Sequence, residues 1–143
     1  MKIDVKTTTL HVSRTIPAAP ERVYDVWLDH TSPGGPWFGS KKVILDAKVD
    51  GLFYHAMEWE GTTWPHFGRF IALERGKKIE HTWMSPATKG LESVVTVTLE
   101  DKGGETLLSL RHAGVPDDEQ GRHHEQGWKW ITDALADGLG KKK

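Results

Sequence analysis

Apolar residues alternate along most of this chain, and only two stretches depart from that period. In "TTTLHVSRTI", Leu10, Val12 and Ile16 fall on one side, the pattern of a half-buried strand. In "PAAPERVYDVWLDH" the period changes. Val23, Val26 and Trp27 stand at i, i+3 and i+4, Pro20 suits the first helical position, and Glu21 suits the positive end of the helix dipole. A short helix is predicted there, stopped by Pro33-Gly34-Gly35-Pro36.

Alternation then returns. A short strand is predicted over Lys41–Leu45. "LFYHAMEW" puts Phe53, His55, Met57 and Trp59 on one face, and "EGTT" reads as a hairpin turn. "WPHFGRFIAL" aligns Trp64, His66, Gly68, Phe70 and Ala72, and "IEHTWM" aligns Ile79, His81 and Trp83. "ESVVTVTLE" and "TLLSLRH" flank the turn "DKGGE", the first presenting Val95, Val97 and Leu99, the second Leu108, Leu110 and His112. Seven strands at hairpin spacing predict an antiparallel sheet.

The second helical stretch closes the chain, from about Asp117 to Gly138, with Asp117 and Gln120 resembling a capping box. His124, Trp128, Ile131, Leu135 and Leu139 mark its apolar face. Gly121 and Gly127 sit inside it, each costing about 1 kcal/mol relative to Ala. A glycine so placed implies either a very close approach to another element or space left open beside it. One curved sheet plus one long amphipathic helix predicts a single α+β domain over residues 1–143, with the helix across the concave face. A bent sheet cannot follow a straight helix along its whole length, so a gap is expected at one end.

Composition narrows the function. With 19 basic and 20 acidic residues the formal net charge is −1, which offers no footprint for nucleic acid. There is no cysteine, so disulfides, thiolate metal sites and cysteine nucleophiles are excluded. No apolar run approaches a signal peptide or a membrane span, and the terminal Lys141-Lys142-Lys143 is too short to act as a polybasic anchor. Membrane insertion is therefore not expected, and a cytoplasmic protein is. Seven tryptophans in 143 residues imply an aromatic-rich core or an apolar ligand among them.

The inward faces supply a candidate pocket lining: Phe53, His55 and Met57, then Phe70, His81 and Trp83, then Val95 and His112, with Trp128 from the helix. A mostly apolar lining with a few polar groups is the usual make-up of a small-molecule site, and plain core packing is the competing reading. His55 and His81 are the best placed to orient a ligand by one polar contact. No acidic residue shares their face, which argues against acid–base catalysis. No metal site is expected, because a zinc-binding helix with His124-Glu125 needs a second histidine where Trp128 stands, and His123 and His124 cannot share a helix face. No GxSxG elbow, GxGxxG or phosphate loop occurs, no cofactor is implied, and no serine sits in an activating arrangement.

The runs "SRTIPAAPERVYDVWLDHTSPGGPWFG", "DGLFYHAMEW", "GRFIALERGKKIEHTW", "ESVVTVTLEDKGGETLLSLRH" and "HHEQGWKWITDAL" together resemble the START-like (SRPBCC) superfamily. More narrowly, they are similar to proteins related to the activator of the ninety-kilodalton heat-shock chaperone's ATPase. The resemblance covers nearly the whole chain. It implies a helix-grip fold, a curved seven-stranded antiparallel sheet wrapped around a long C-terminal helix, with a cavity between them for a hydrophobic or amphipathic small molecule. It implies that Trp37 belongs to a second short helix near the cavity mouth and that Phe38 forms part of a gate, against the reading in which both aromatics plug the core. It also implies that Gly127 lets the last helix approach the sheet while Trp128 fills the volume beside it. Two alternatives accompany the binding protein: a polyketide cyclase or dehydratase-like enzyme using the same cavity, and a co-chaperone stimulating the heat-shock ATPase. Because the chain opens at the first strand, without the extra N-terminal domain of the eukaryotic activators, the kinship is expected to reflect ancestry more than chaperone contact. Monomer and homodimer both remain open.

Overall fold

The computed structural model describes residues 6–32, 35–38, 40 and 42–140. Pro33, Gly34, the predicted strand start at Lys41, the terminal lysines and the side chain of Trp59 lie outside what it describes. Strand β1 (Thr7–Ile16) leads directly into helix α1 (Pro20–Trp27). Pro20 fixes the first helical φ, and the helix buries Pro20, Val23, Val26 and Trp27 on one stripe. Six strands follow: β2 (Lys42–Leu45), β3 (Leu52–Trp59), β4 (Thr62–Glu74), β5 (Lys78–Trp83), β6 (Ser93–Asp101) and β7 (Thr106–Pro116). The chain then enters helix α2 (Glu119–Gly140).

All seven strands join one antiparallel sheet in the order β1-β7-β6-β5-β4-β3-β2. β2 to β7 form a meander, and β1 pairs beyond β7, so β1 and β2 are the edges. The β3–β4 hairpin turns on Glu60 and Gly61, both with positive φ (51° and 77°), the two-residue turn whose hand suits twisted strands.

Two bulges break the alternation. Phe70 pairs with His81, but Ala72 pairs with Glu80 and Leu73 with Ile79, so Ile71 is the extra residue. Ala72, which alternation puts inward, therefore shares the outer side with Glu80, and Leu73 packs on the core instead. In β7, Gly114 is the extra residue opposite Thr8 and Thr9, and its φ of +80° is one that glycine adopts without a steric penalty.

α2 begins one residue later than the predicted capping box. Asp118 Oδ1 accepts the Gly121 N–H at 2.8 Å, while Asp117 accepts from the Arg122 guanidinium. Lys89 also pairs with Asp118, and with the helix-end N–H groups it holds that carboxyl below the usual range. The C-terminal half of α2 buries Thr132, Leu135, Ala136 and Leu139, chiefly against β1 and β7. Trp27, Phe53, Phe70, Leu108 and Leu135, all under 2 % exposed, belong to the core between helix and sheet.

Candidate functional site

A cleft of about 220 Å³ lies between the N-terminal half of α2 and the β3–β5 side of the sheet. Its sheet wall is His55 and Met57 from β3, Trp64 and His66 from β4, and Trp83 at the end of β5. These come together because period-two alternation keeps each pair on one face, and the β3–β4 register sets His55 opposite His66 and Met57 opposite Trp64. Its helix wall is Gln120, His123, His124, Gly127, Trp128 and Ile131, a single stripe at helical spacing. Ala87, from the one-turn 3-10 helix Pro86–Thr88, completes the lining. Among the described residues no Asp, Glu, Lys or Arg lines the cleft.

The two helix glycines have opposite surroundings. A Cβ on Gly121 would lie 1.8 Å from the Pro116 carbonyl oxygen, so the first turn of α2 touches β7 backbone. A Cβ on Gly127 would meet nothing within 4 Å. The close approach implied for Gly127 is thus corrected: Gly121 makes that contact, and Gly127 leaves space in the cleft wall.

A hydrogen-bonded chain fixes Trp128. Its indole N–H donates to His112 Nδ1 at 3.0 Å. Because that nitrogen accepts, Nε2 carries the ring proton and donates to Ser93 Oγ at 2.8 Å; the Ser93 hydroxyl donates to the Trp83 carbonyl at 2.6 Å. α2 is thereby tied to β7, β6 and β5 through groups that are all buried.

The histidines around Trp83 are held neutral. Burial, with His66 alongside, pushes the His55 imidazole down to about 3. Burial brings His66 and His81 each down to about 4, against the opposing effect of their backbone hydrogen bonds. Burial also lowers His112 and His124, with His124 reinforcing the shift of His112. Imidazoles in this state pack as flat aromatic rings: His55 stacks on His66 with centroids 5.0 Å apart, and His66 lies 4.7 Å from Trp83. Among the described residues, His55 Nδ1 and the indole nitrogens of Trp64 and Trp83 are buried without a hydrogen-bond partner, each costing about 1–3 kcal/mol.

Of the residues the sequence nominated, His55, Met57, Trp83 and Trp128 line the cleft. Phe53, Phe70, His81 and Val95 lie behind it in the packed interior, and His112 is spent on anchoring Trp128. His81 stacks on Phe53 at 4.4 Å and donates to the Thr82 carbonyl, so it does not reach the cleft as the expected polar contact. The neighbours Trp37 and Phe38 part company. Trp37 is 1 % exposed, donates its indole N–H to the Trp27 carbonyl at 2.8 Å, and packs against Phe53 and His55. Phe38 is 53 % exposed. It lines an outer groove of about 610 Å³ with Pro36, Ser40, Glu58 and Trp130, and this groove shares His55, Met57, Gly127 and Ile131 with the cleft. Where a second short helix was implied around Trp37, the described residues make turns, with the N–H groups of Gly35, Phe38 and Ser40 donating to the carbonyls of Ser32, Gly35 and Trp37. His66, Trp64 and His124 were missed as lining. All three stood on the faces read from the sequence, and that shared face was the available signal.

Among the described residues no cluster of three or more His, Asp or Glu could hold a metal ion, and no helix is long and apolar enough to cross a membrane.

The fold has many solved counterparts. CV1439 from Chromobacterium violaceum is 26 % identical with a TM-score of 0.79, covering 94 % of this chain and 98 % of its own. The AHSA1 protein of Silicibacter pomeroyi is 25 % identical with a TM-score of 0.76, covering 93 % and 98 %. The Aha1 dimer from Colwellia psychrerythraea shares the fold at 17 % identity and a TM-score of 0.70, covering 94 % and 99 %. No curated protein matched the sequence. Residues 17–140 match the family model described as Activator of Hsp90 ATPase homolog 1-like protein, and the chain belongs to that family.

Proposed function

We propose that the protein binds a small hydrophobic or amphipathic molecule in the cleft between the sheet and α2. The observation that carries this reading is a cleft of about 220 Å³ whose walls are mainly aromatic and aliphatic, with a Gln120 amide and imidazoles among them. A dry apolar cavity of about 150 Å³ suffices for benzene, so a compound of one or two rings suits this volume. The outer groove between Phe38 and Trp130 offers room for a longer tail. Burying ~400 Å² of combined apolar surface gains about 10 kcal/mol, and association costs at least about 4, which leaves a dissociation constant on the order of tens of micromolar. Of the residues nominated from sequence, His55, Met57, Trp83 and Trp128 are the proposed contacts, with Phe38 at the entrance.

Native mass spectrometry of the protein isolated from its own source, beside a Gly127→Leu variant, tests the proposal. The expected result is a retained mass on the parent chain that the variant loses, because the new side chain projects into the cleft. An unliganded mass, together with no binding of small ring compounds in titration, refutes it.

A further inference from the structure

The backbone fixes which ring nitrogens of the cleft histidines carry protons. His66 Nδ1 lies 3.0 Å from the His55 carbonyl oxygen, and His124 Nδ1 lies 2.9 Å from the Gly121 carbonyl oxygen. A carbonyl oxygen only accepts, so in both rings Nδ1 carries the hydrogen. Both rings are neutral, so the opposite nitrogen, Nε2, holds a lone pair. The imidazole nitrogens sealed from solvent without a partner among the described residues are His55 Nδ1 and His81 Nε2; the two Nε2 atoms are not among them.

The cleft thus has an acceptor on each wall, His66 from the sheet and His124 from the helix. Both flank the same indole: Trp83 lies 4.7 Å from His66 and 6.3 Å from His124. The Trp128 indole N–H is committed to His112 and the Trp64 and Trp83 indole nitrogens are covered by protein, so the donors left on the lining are the Gln120 amide and His123 on the helix wall. A ring compound lying against Trp83 meets lone pairs at its edge.

We infer that the cleft selects an uncharged aromatic compound bearing a hydroxyl group, the phenol class, whose O–H donates to Nε2 of His66 or His124. This rests on the small-molecule reading above and narrows it. At these two nitrogens an ether or ketone of the same shape sets lone pair against lone pair. A carboxylate adds the cost of desolvating a charge against the aromatic walls. A site that hydrogen-bonds a hydroxyl discriminates sharply against the analogue without one, because its own acceptor is then buried unpaired.

The test is a titration of the full chain at pH 7.5, followed by tryptophan fluorescence, with 2-naphthol, 2-methoxynaphthalene, naphthalene and 2-naphthoate. 2-Naphthol is expected to bind about ten- to a hundred-fold more tightly than its methyl ether, within the range that leaving one buried acceptor unpaired supplies. In the His66→Phe, His124→Phe double variant that preference collapses while naphthalene still binds, which shows the cleft intact. Nitrogen-15 spectra of the parent histidines supply a readout independent of the variants: the Nε2 resonance of His66 or His124 moves with 2-naphthol and stays with naphthalene. Equal affinity for naphthol, ether and naphthalene, or a naphthol preference that survives in the double variant, overturns the inference and leaves the small-molecule reading standing. Failure of all four compounds to bind overturns both.

Discussion

Gly121 and Gly127 look alike in the sequence, and replacing each with alanine separates the two reasons a helix carries glycine. At Gly127 the added methyl meets nothing within 4 Å, so the change acts only through helix propensity and is expected to stabilise the fold by up to about 1 kcal/mol. At Gly121 the methyl lands 1.8 Å from Pro116 O, 2.9 Å from Pro116 C and 3.0 Å from Val115 Cγ1. Two of those atoms are backbone in a paired strand and cannot rotate away, so the first turn of α2 must lift off β7, uncovering Val115, which is fully buried. Overpacking of this kind costs about 1–3 kcal/mol, and the strand backbone puts it at the upper end, less the propensity gain. The two variants should therefore differ by about 3 kcal/mol, with opposite signs relative to the parent. Urea denaturation followed by circular dichroism, with the slope checked for constancy, measures this directly. Equal midpoints for the two variants, or a Gly127→Ala protein less stable than the parent by more than about 1 kcal/mol, would refute the assignment of open space to one glycine and close contact to the other.

Three further outcomes are expected. His55, His66, His81 and His112 all titrate at about 4 or below when folded and near 6.5 when unfolded, so the unfolded chain binds more protons at mildly acidic pH. Stability should be complete above about pH 6.5 and fall as pH drops, by about 2 kcal/mol per ring at pH 5 and roughly 8 together, which urea midpoints at pH 8, 6.5 and 5 would show; a flat profile contradicts the buried-neutral assignment. Trp128→Phe keeps the aromatic wall but leaves His112 Nδ1 without its donor, and should cost about 1–3 kcal/mol by the same measurement; no loss would mean that the hydrogen bond contributes nothing. Trp37→Ala should cost about 3–5 kcal/mol and Phe38→Ala under about 0.5, and similar losses for the two would show that the neighbours do not differ as the structure has them.

Local period was legible in the sequence because each strand is half buried. Phe53, His55 and Met57 on β3, or Val95, Val97 and Leu99 on β6, must alternate if one face meets the core. What the period could not carry is a change of phase. The extra residue Ile71 turns Ala72 outward and Leu73 inward, and no local signal marks it. The site was less legible, because lining a cleft depends on what stands opposite. His81 and His66 share the inward face, yet the first is sealed beneath Phe53 and the second faces α2. Trp37 and Phe38 are adjacent, and contacts distant in sequence, the Trp27 carbonyl and the rings of Phe53 and His55, decide that the indole goes in. A turn segment has no period, so its two aromatics could not be told apart beforehand.

The cleft persists because α2 is pinned on both sides of it. At one end, Gly121 rests on Pro116 and Asp118 caps the helix while pairing with Lys89. At the other, Leu135 and Leu139 are packed into the core. Between these points Trp128 is tied through His112 and Ser93 to the Trp83 carbonyl, so the helix can neither roll nor slide without breaking buried hydrogen bonds. Closing the space beside Gly127 would require the helix to move toward β3 and β4, and each anchor opposes that movement. Van der Waals collapse, which ordinarily fills a void of this size, is outweighed by three anchors that do not line up with it. The same anchors use the Trp128 N–H and both nitrogens of His112, so the polar chemistry left on the cleft walls belongs to His66 and His124, whose Nδ1 atoms are held by backbone carbonyls, and to Gln120 and His123 beside them.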